Sequence, residues 1–182
     1  MALEGVPRWT RPIKVVDATS FQTPDTVANR NRYHYPTGQK KGCGFPVARA
    51  LALFSLASGA ILHLVTAACY TAELVMLKTL WHVLQSGDIL LGDRMFGCFA
   101  LLAALPIQGV DVVARLNQCR NLDLRRANKL GPNDWQITLH KSYIRPHYFK
   151  RKEWLAIPKT IRVRIIRSRI RAKSATSVLK SS

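Results

Sequence analysis

Two aspartates, Asp17 and Asp93, have the surroundings that best suit a chemical site. Asp17 ends the run 13–17, and Asp93 follows the apolar run 89–92. Each run predicts a buried strand. A carboxylate at the end of a buried strand is costly unless a cation or hydrogen-bond donors compensate it. Taken alone, each aspartate is typical of a turn or cap. As a pair on separate strands, they predict a metal site.

The elements that must position these aspartates form an alternating pattern of strands and helices. Strands are predicted at 13–17, 45–56, 60–68, 89–92 and 110–116, with the second and third joined near Gly59. A helix is predicted at 72–86, ending before Gly87, and another at 95–105, stopped by Pro106. Residues 23–44 read as a long surface loop. The order predicts an α/β domain whose sheet mixes an antiparallel meander with parallel crossovers.

Positive charge is concentrated in the second part of the chain. The 182 residues have room for one domain and a fragment of a second, and they carry a net charge of +18. Residues 1–114 contribute +3 and residues 115–182 contribute +15. Such a basic segment indicates a polyanionic partner, most often nucleic acid, although a solvated basic tail is the alternative.

Aromatic residues are interleaved with this charge, and they could stack on exposed bases or form a core. They are Trp135, Tyr143, Tyr148, Phe149 and Trp154. A turn is predicted at 130–134 and strands at 135–139 and 161–170. The alternation at 161–165 gives the last strand one basic face, which is also typical of a solvated edge strand.

The cysteines and the longest apolar segment indicate in which cellular compartment the protein is expected. The four cysteines have no zinc-ligand spacing and are expected to be reduced thiols; they are Cys43, Cys69, Cys98 and Cys119. The start of the chain has no secretory signal, which favours a cytoplasmic protein. The segment 47–70 is long enough for a membrane span, so a small basic membrane protein is an alternative, although polar residues are spread through it.

An ordered set of short motifs carries a family resemblance. The motifs are 16–19 with 24–26 and Asn29, 39–46 with Arg49, 87–94 with 109–111, the basic run at 120–126, and the turn 130–134. With these motifs the chain resembles the DDE transposases of bacterial insertion sequences, specifically the insertion-sequence-four type. The resemblance covers residues from about 9 to 170.

The resemblance implies a ribonuclease-H-like mixed sheet with flanking helices, followed by the start of a β-rich insertion. The implied organisation is a lead-in (1–12), an incomplete catalytic core (13–116), an incomplete basic insertion (117–170) and a polar tail (171–182). Asp17 and Asp93 would be catalytic residues and ligands of Mg²⁺ or Mn²⁺. The implied partner is DNA at insertion-sequence ends, in a nucleoid-associated protein that forms a homodimer in full-length relatives. Expected DNA contacts are Arg94, Arg120, Arg125, Arg126 and Lys129.

One departure from the family pattern bears directly on activity. The family's third carboxylate lies in a Tyr-x2-Arg-x3-Glu-x6-Lys motif. Tyr148 and Arg151 have the first spacing, but Leu155 occupies the glutamate position and Glu153 comes two residues early. The segment before Asp17 is also too short for an N-terminal DNA-binding domain. We therefore expect a truncated transposase that does not transpose DNA alone. A basic nucleic-acid binder without a metal site is a further alternative.

Overall fold

Two β-sheets organise the chain in the computed structural model, which describes residues 11–36, 38, 44–116 and 124–168. Most of the predicted lead-in and all of the predicted tail lie outside the described residues. The first sheet holds both aspartates. The second follows the basic change in composition.

The first sheet has five strands in the order β3-β2-β1-β4-β5. They are β1 (Ile13–Gln22), β2 (Val47–Ser55), β3 (Ile61–Ala68), β4 (Ile89–Gly92) and β5 (Asp111–Ala114). β1, β2 and β3 form an antiparallel meander, whereas β4 pairs in parallel with both β1 and β5. This mixed topology, flanked by helices, confirms the predicted fold class. The segment proposed as a membrane span forms β2, β3 and the turn between them. In the described part of the chain, no helix is both long and apolar enough to cross a membrane.

Two of the three helices in this part of the chain cover one face of this sheet. The helices of this part are α1 (Val27–Tyr33), α2 (Glu73–Thr79) and α3 (Phe99–Ala104), with short 3₁₀ helices at Trp81–Val83 and Pro106–Gln108. α2 and α3 bury Leu77 and Leu101 against Val16, Leu53 and Leu90 of the strands, all at most 2% exposed. Even-numbered residues of β1 and β4 therefore face this core, and odd-numbered residues face the opposite side.

Two helix predictions and one loop prediction differ from the structure. The helix expected at 72–86 ends at Thr79, because the Leu80 N–H bonds to the carbonyl of Leu77 and the chain tightens into a 3₁₀ turn. Gly87 instead occupies a turn with φ of 94°. The helix expected at 95–105 begins at Phe99. The loop predicted at 23–44 contains α1, whose Asn29 N–H is capped by the Thr26 hydroxyl.

A buried ion pair fixes β1 to the start of β4. Lys14 Nζ lies 2.6 Å from Asp88 Oδ2, and the Asp88 side chain is only 4% exposed. The same ammonium donates to the Val83 carbonyl at 3.0 Å, and Asp88 accepts the Gln85 N–H at 2.7 Å. These bonds satisfy a carboxylate that would otherwise be costly to bury. Asp88 therefore has a structural role.

The second sheet has the order β6-β7-β8. Its elements are β6 (Asn128–Gly131), β7 (Asp134–His140), α4 (Arg151–Ala156) and β8 (Thr160–Ile166). α4 was not predicted. Phe149, Trp154 and Ile157 pack against Phe99 and its neighbours in α3, so a second core joins this sheet to the first part of the chain. β8 alternates exposed and half-buried residues, which confirms its predicted basic face.

Candidate active site

Asp17 lies on β1, and Asp93 directly follows β4, the parallel neighbour of β1 in the sheet. β1 pairs with β4 in a constant register, from Ile13 with Ile89 to Val15 with Leu91. The same register carried two positions further relates Asp17 to Asp93, which directly follows β4. Adjacent strands lie about 4.8 Å apart, so both carboxylates belong to one end of the sheet. Asp17 is an odd-numbered residue of β1 and lies on the face opposite the core that α2 and α3 cover.

The environment of Asp17 differs from the prediction in two respects. Asp17 is exposed, and β1 continues past it to Gln22 because residues 18–22 pair with residues 47–51 of β2. The carboxylate therefore does not end its strand. Its Oδ1 accepts the N–H of Ala18 at 2.9 Å. Ala18 is extended within β1 and packs against the core.

Asp93 directly follows β4, as predicted, and lies in a tight turn. Its Oδ1 accepts the Met95 N–H at 2.8 Å, and its carbonyl accepts the Phe96 N–H at 3.2 Å. This Asx turn fixes the carboxylate and leaves Oδ2 without a hydrogen-bond donor among the described residues. Gly92 is needed beneath it, because a Cβ there would lie 2.8 Å from Phe96, which is 1% exposed. Asp93 therefore stabilises the turn through Oδ1, while its Oδ2 remains available to a ligand.

Arg115 is a candidate that sequence reasoning did not find. β4 and β5 pair with Gly92 opposite Ala114, so the next residues along, Asp93 and Arg115, share a register position. The Arg115 N–H bonds to the Gly92 carbonyl at 3.4 Å, and Arg115 is exposed. A guanidinium at the same end of the sheet as two carboxylates suits contact with a phosphate. Only strand register reveals it, because nothing in its sequence context differs from other basic residues.

The predicted DNA contacts are distributed over both sheets. Arg94 is exposed beside Asp93, at the end of the first sheet that holds both carboxylates. Lys129 is exposed in β6, and Arg125 is exposed in a short 3₁₀ helix at Leu124–Arg126. Arg126 belongs to the same helix, but its side chain lies outside the described part. Arg120 lies wholly outside it. Of the cysteines, Cys69 and Cys98 are free thiols, and Cys43 and Cys119 are not described.

A comparison with known protein families assigns this chain to a family. The model of the transposase DDE domain matches residues 8–176. The chain belongs to this DDE transposase family. The match spans the first sheet with both aspartates and the whole second sheet, and it confirms that the chain is a DDE transposase, as the motifs predict.

Two individual proteins are similar to this DDE transposase chain. The putative transposase InsZ of Escherichia coli strain K12 is 32% identical over 95 residues, which are 52% of this chain and 32% of InsZ. The chain thus spans about a third of the length of this curated relative. A cryo-EM structure of the piggyBac transposase synaptic complex with hairpin DNA has a TM-score of 0.42 and 9% identity, covering 71% of this chain and 30% of that one.

This transposase chain supplies some of the ligands that a divalent metal site needs. Mg²⁺ binds through one or two carboxylates and retains several waters, and Asp17 and Asp93 supply two at one end of the sheet. Among residues 11–36, 38, 44–116 and 124–168, no cluster of three His, Cys, Asp or Glu residues could hold a metal. Glu153 does not join them. It lies at the start of α4, where Lys78 Nζ is 2.5 Å from its carboxylate and the Lys150 N–H donates to it at 2.7 Å.

Proposed function

We propose that this chain provides two metal-binding carboxylates, Asp17 and Asp93, of a site that cleaves and joins DNA strands during transposition. The proposal is carried by the location of both residues just beyond the last pair of β1 with β4, at the same end of these parallel strands, in a member of the DDE transposase family. A divalent metal pair in such a site activates an attacking oxygen and stabilises the leaving oxygen of an in-line displacement. The proposed substrate is DNA at insertion-sequence ends, and the proposed metal is Mg²⁺ or Mn²⁺.

The reaction is a phosphodiester displacement. Water attacks phosphorus, the bond from phosphorus to the 3′ oxygen breaks, and that oxygen takes a proton. The products are a 3′-hydroxyl and a 5′-phosphate, and in joining the 3′-hydroxyl attacks a second phosphodiester. In the proposed site, Asp17 and Asp93 hold and orient the metal. Arg115 and Arg94 bind the phosphates flanking the cleaved bond, which keeps the DNA backbone at the end of the sheet.

We further propose that the chain does not cleave DNA alone. Leu155 occupies the family's glutamate position, and Glu153 is engaged with Lys78 and the Lys150 amide. Two carboxylates hold a metal pair less well than three, so positioning of the attacking oxygen is lost. The chain would retain DNA contact through its basic residues. The finer assignments also remain proposals: the insertion-sequence-four type, nucleoid association, and a homodimer in full-length relatives.

The test combines DNA binding and cleavage by the purified chain. A labelled DNA hairpin is incubated with Mg²⁺ or Mn²⁺, using the wild type, Asp17→Ala and Asp93→Ala. We expect salt-sensitive binding and no cleavage by any of the three. Cleavage by the wild type that is lost in both variants would contradict the proposed inactivity and require another acidic ligand. Binding that does not weaken with salt would contradict phosphate contact.

The arginines are tested in the same binding assay. Arg115→Ala and Arg94→Ala are each expected to weaken DNA binding and to reduce its salt dependence by about one ion. Arg162→Ala is a matched control, since Arg162 is an exposed arginine in β8 rather than at the end of the first sheet. An equal effect of all three substitutions would show that the charge acts without a defined site.

A further inference from the structure

β3 is an edge strand of the first sheet that has no charged side chain. It pairs with β2 on one side, and its eight residues include no Lys, Arg, Asp or Glu. A register shift affects only its start, so the strand is regular from His63 to Ala68. Natural edge strands are usually short or charged, because their free N–H and C=O groups can pair with another chain. β3 lacks this protection.

The other edge strands that the structure describes are protected by charge. β5 is only four residues long and begins with Asp111, whose carboxylate lies 2.6 Å from the Arg11 guanidinium. In the second sheet, the edge strand β6 contains Lys129, and the edge strand β8 contains Arg162 and Arg164. Among these four edges, β3 is therefore the one that is both long and uncharged.

The backbone of Leu64 is directed to the free edge of β3. The Ser55 N–H donates to the Ala60 carbonyl, so every second residue of β2 counted back from Ser55 directs its peptide groups toward β3. Leu53 is one of these residues, and its partner in β3 is His63. The next residue, Leu64, therefore points its N–H and C=O away from β2. Among the described residues, no element other than β2 forms a backbone hydrogen bond with it.

The side chain of Leu64 is also exposed. Val65 and Ala67 pack against the core beneath α2 and α3, so alternation along β3 places Leu62 and Leu64 on the opposite face, where Asp17 lies. There Leu62 is 40% exposed and Leu64 is 56% exposed. Backbone groups and apolar surface are thus free at the same position of one strand.

The charge distribution selects a second copy of this chain as the partner. Residues 50–77 are the longest stretch without Lys or Arg in a chain of net charge +18, and they contain one acidic residue, Glu73. Two copies repel each other where their basic surfaces meet, whereas at this neutral edge they can approach. A nucleic acid would find no positive charge on β3 for its phosphates.

We propose that two copies of this chain pair their β3 strands in antiparallel orientation, with Leu64 of one copy opposite Leu64 of the other. These two residues exchange both N–H to C=O hydrogen bonds across a two-fold axis perpendicular to the sheet. Leu62 of each copy then lies opposite Thr66 of the other. The inference goes beyond the proposed function, which does not require this pairing.

This pairing places both carboxylate sites on the same face of one continuous sheet. Asp17 is paired with Ala52, and Ala52 with Leu64, so these residues form a row across three strands. The row continues through Leu64 of the second copy to its Asp17. Five strand spacings of about 4.8 Å separate the two Asp17 residues by about 24 Å. The two-fold axis keeps both carboxylates on one side, where a single DNA molecule can lie across them.

Sedimentation velocity of the purified chain measures the pairing at concentrations from about 1 to about 100 µM. Salt at about 0.3 M screens the repulsion between basic copies. We expect a monomer–dimer equilibrium with a Kd of about 10 µM, because one strand pair buries little area. Leu64→Lys is expected to raise the Kd at least about tenfold, since two ammonium groups then meet on the axis.

The matched control is Val113→Lys, which adds the same charge at a side chain that is 53% exposed on the opposite edge strand, β5. It is expected to leave the Kd within about twofold of the wild type. Circular dichroism verifies that both variants fold. Unfolding measurements at about 0.5 µM report the monomer, because the expected Kd is higher.

The register is tested by disulfide formation. In a hydrogen-bonded antiparallel pair the Cα atoms lie about 5.5 Å apart, within the range of a disulfide. Leu64→Cys is therefore expected to give a covalent dimer on oxidation. Leu62→Cys is not, since residues 62 of the two copies would lie about 14 Å apart. The wild type, oxidised in the same way, reports any linkage through its own cysteines.

Three results would overturn the inference. They are a wild type that stays monomeric at about 100 µM, a dimer that Leu64→Lys weakens no more than Val113→Lys does, and cross-linking of Leu62→Cys that equals that of Leu64→Cys. None of them bears on the proposed function, because DNA binding and metal binding are measured separately. Loss of DNA binding with an intact dimer would instead contradict the proposed function and leave the pairing in place.

Discussion

Asp17 and Asp93 each lie two residues beyond the last pair that joins β1 to β4, Val15 with Leu91, although they lie far apart along the chain. The two residues reach this position differently. Asp17 lies within a long strand that pairs with β2 along its whole length, whereas Asp93 is the first residue after a short strand and is held by an Asx turn. One carboxylate is thus fixed by the sheet and the other by a local turn. The sheet face on which Asp17 lies is not covered by α2 or α3.

Replacing either aspartate should weaken metal binding without unfolding the chain. Asp17→Asn and Asp93→Asn are expected to lower Mn²⁺ affinity by at least about tenfold, since each removes a charged ligand. Both residues are exposed, so the free energy of unfolding should change little. Mn²⁺ titration followed by electron paramagnetic resonance measures the affinity. Asp111→Asn, at the opposite end of the same sheet, serves as the control and should bind as the wild type does. Unchanged affinity in both site variants would exclude this metal site.

Glycine is required at position 109 for two reasons that can be separated. Gly109 has φ of 78°, and a Cβ added there would lie 2.2 Å from Ser86 Oγ and 3.0 Å from Ser86 Cβ. Gly59 has a similar φ of 70° but open space around it. Gly59→Ala is expected to lower the free energy of unfolding by about 1–2 kcal/mol through backbone strain. Gly109→Ala should cost more, because Ser86 must also move. Urea unfolding compares the two, and equal losses would show that Ser86 adjusts freely.

The first core should be sensitive to a cavity beneath β2. Leu53 is fully buried against α2, and Leu53→Ala is expected to lower the free energy of unfolding by about 2–5 kcal/mol. Leu64 in the neighbouring β3 is 56% exposed, and Leu64→Ala should change that free energy by less than about 0.5 kcal/mol. Denaturation followed by circular dichroism measures both. Similar values for the two variants would place the core on the other face of the sheet.

The contact between α2 and α4 should make stability depend on pH. The Lys78 ammonium and the Lys150 amide hold the pKa of Glu153 below its usual range. The stabilisation is therefore present above the unfolded-state pKa of about 4.3 and is lost as pH falls through the lower folded-state value. Glu153→Gln keeps the cap but removes the charge, so it should lower the melting temperature at neutral pH and have little effect at strongly acidic pH.

The size of this effect is limited by exposure. The Glu153 side chain is 41% exposed, and a pair of this kind contributes about 1 kcal/mol or less. Thermal unfolding of the wild type, Glu153→Gln, Lys78→Gln and the double variant gives the coupling energy. A Glu153→Gln effect that is independent of pH, or additive with Lys78→Gln, would rule out the ion pair as its source.

The sequence by itself determined the strands, the site candidates and the family. Apolar runs bounded by turn residues place β2, β3 and β4 within about two residues, because short buried strands carry a local signal. The alternation in β8 likewise identifies its basic face. The two aspartates stand out because each directly follows such an apolar run. The motifs around them name the transposase family that the comparison confirms.

Only the tertiary structure decided which residues meet and which are already engaged. Strand register is a property of pairing, so neither the alignment of Asp17 with Asp93 nor the position of Arg115 can be derived from spacing along the chain. Glu153 is typical of a free acid in the sequence and becomes a partner of Lys78 only when α4 packs on the first part of the chain. The same packing buries Phe149 and Trp154 and leaves Tyr143 exposed, because a single residue type can serve a core or a contact and the surrounding elements choose between them.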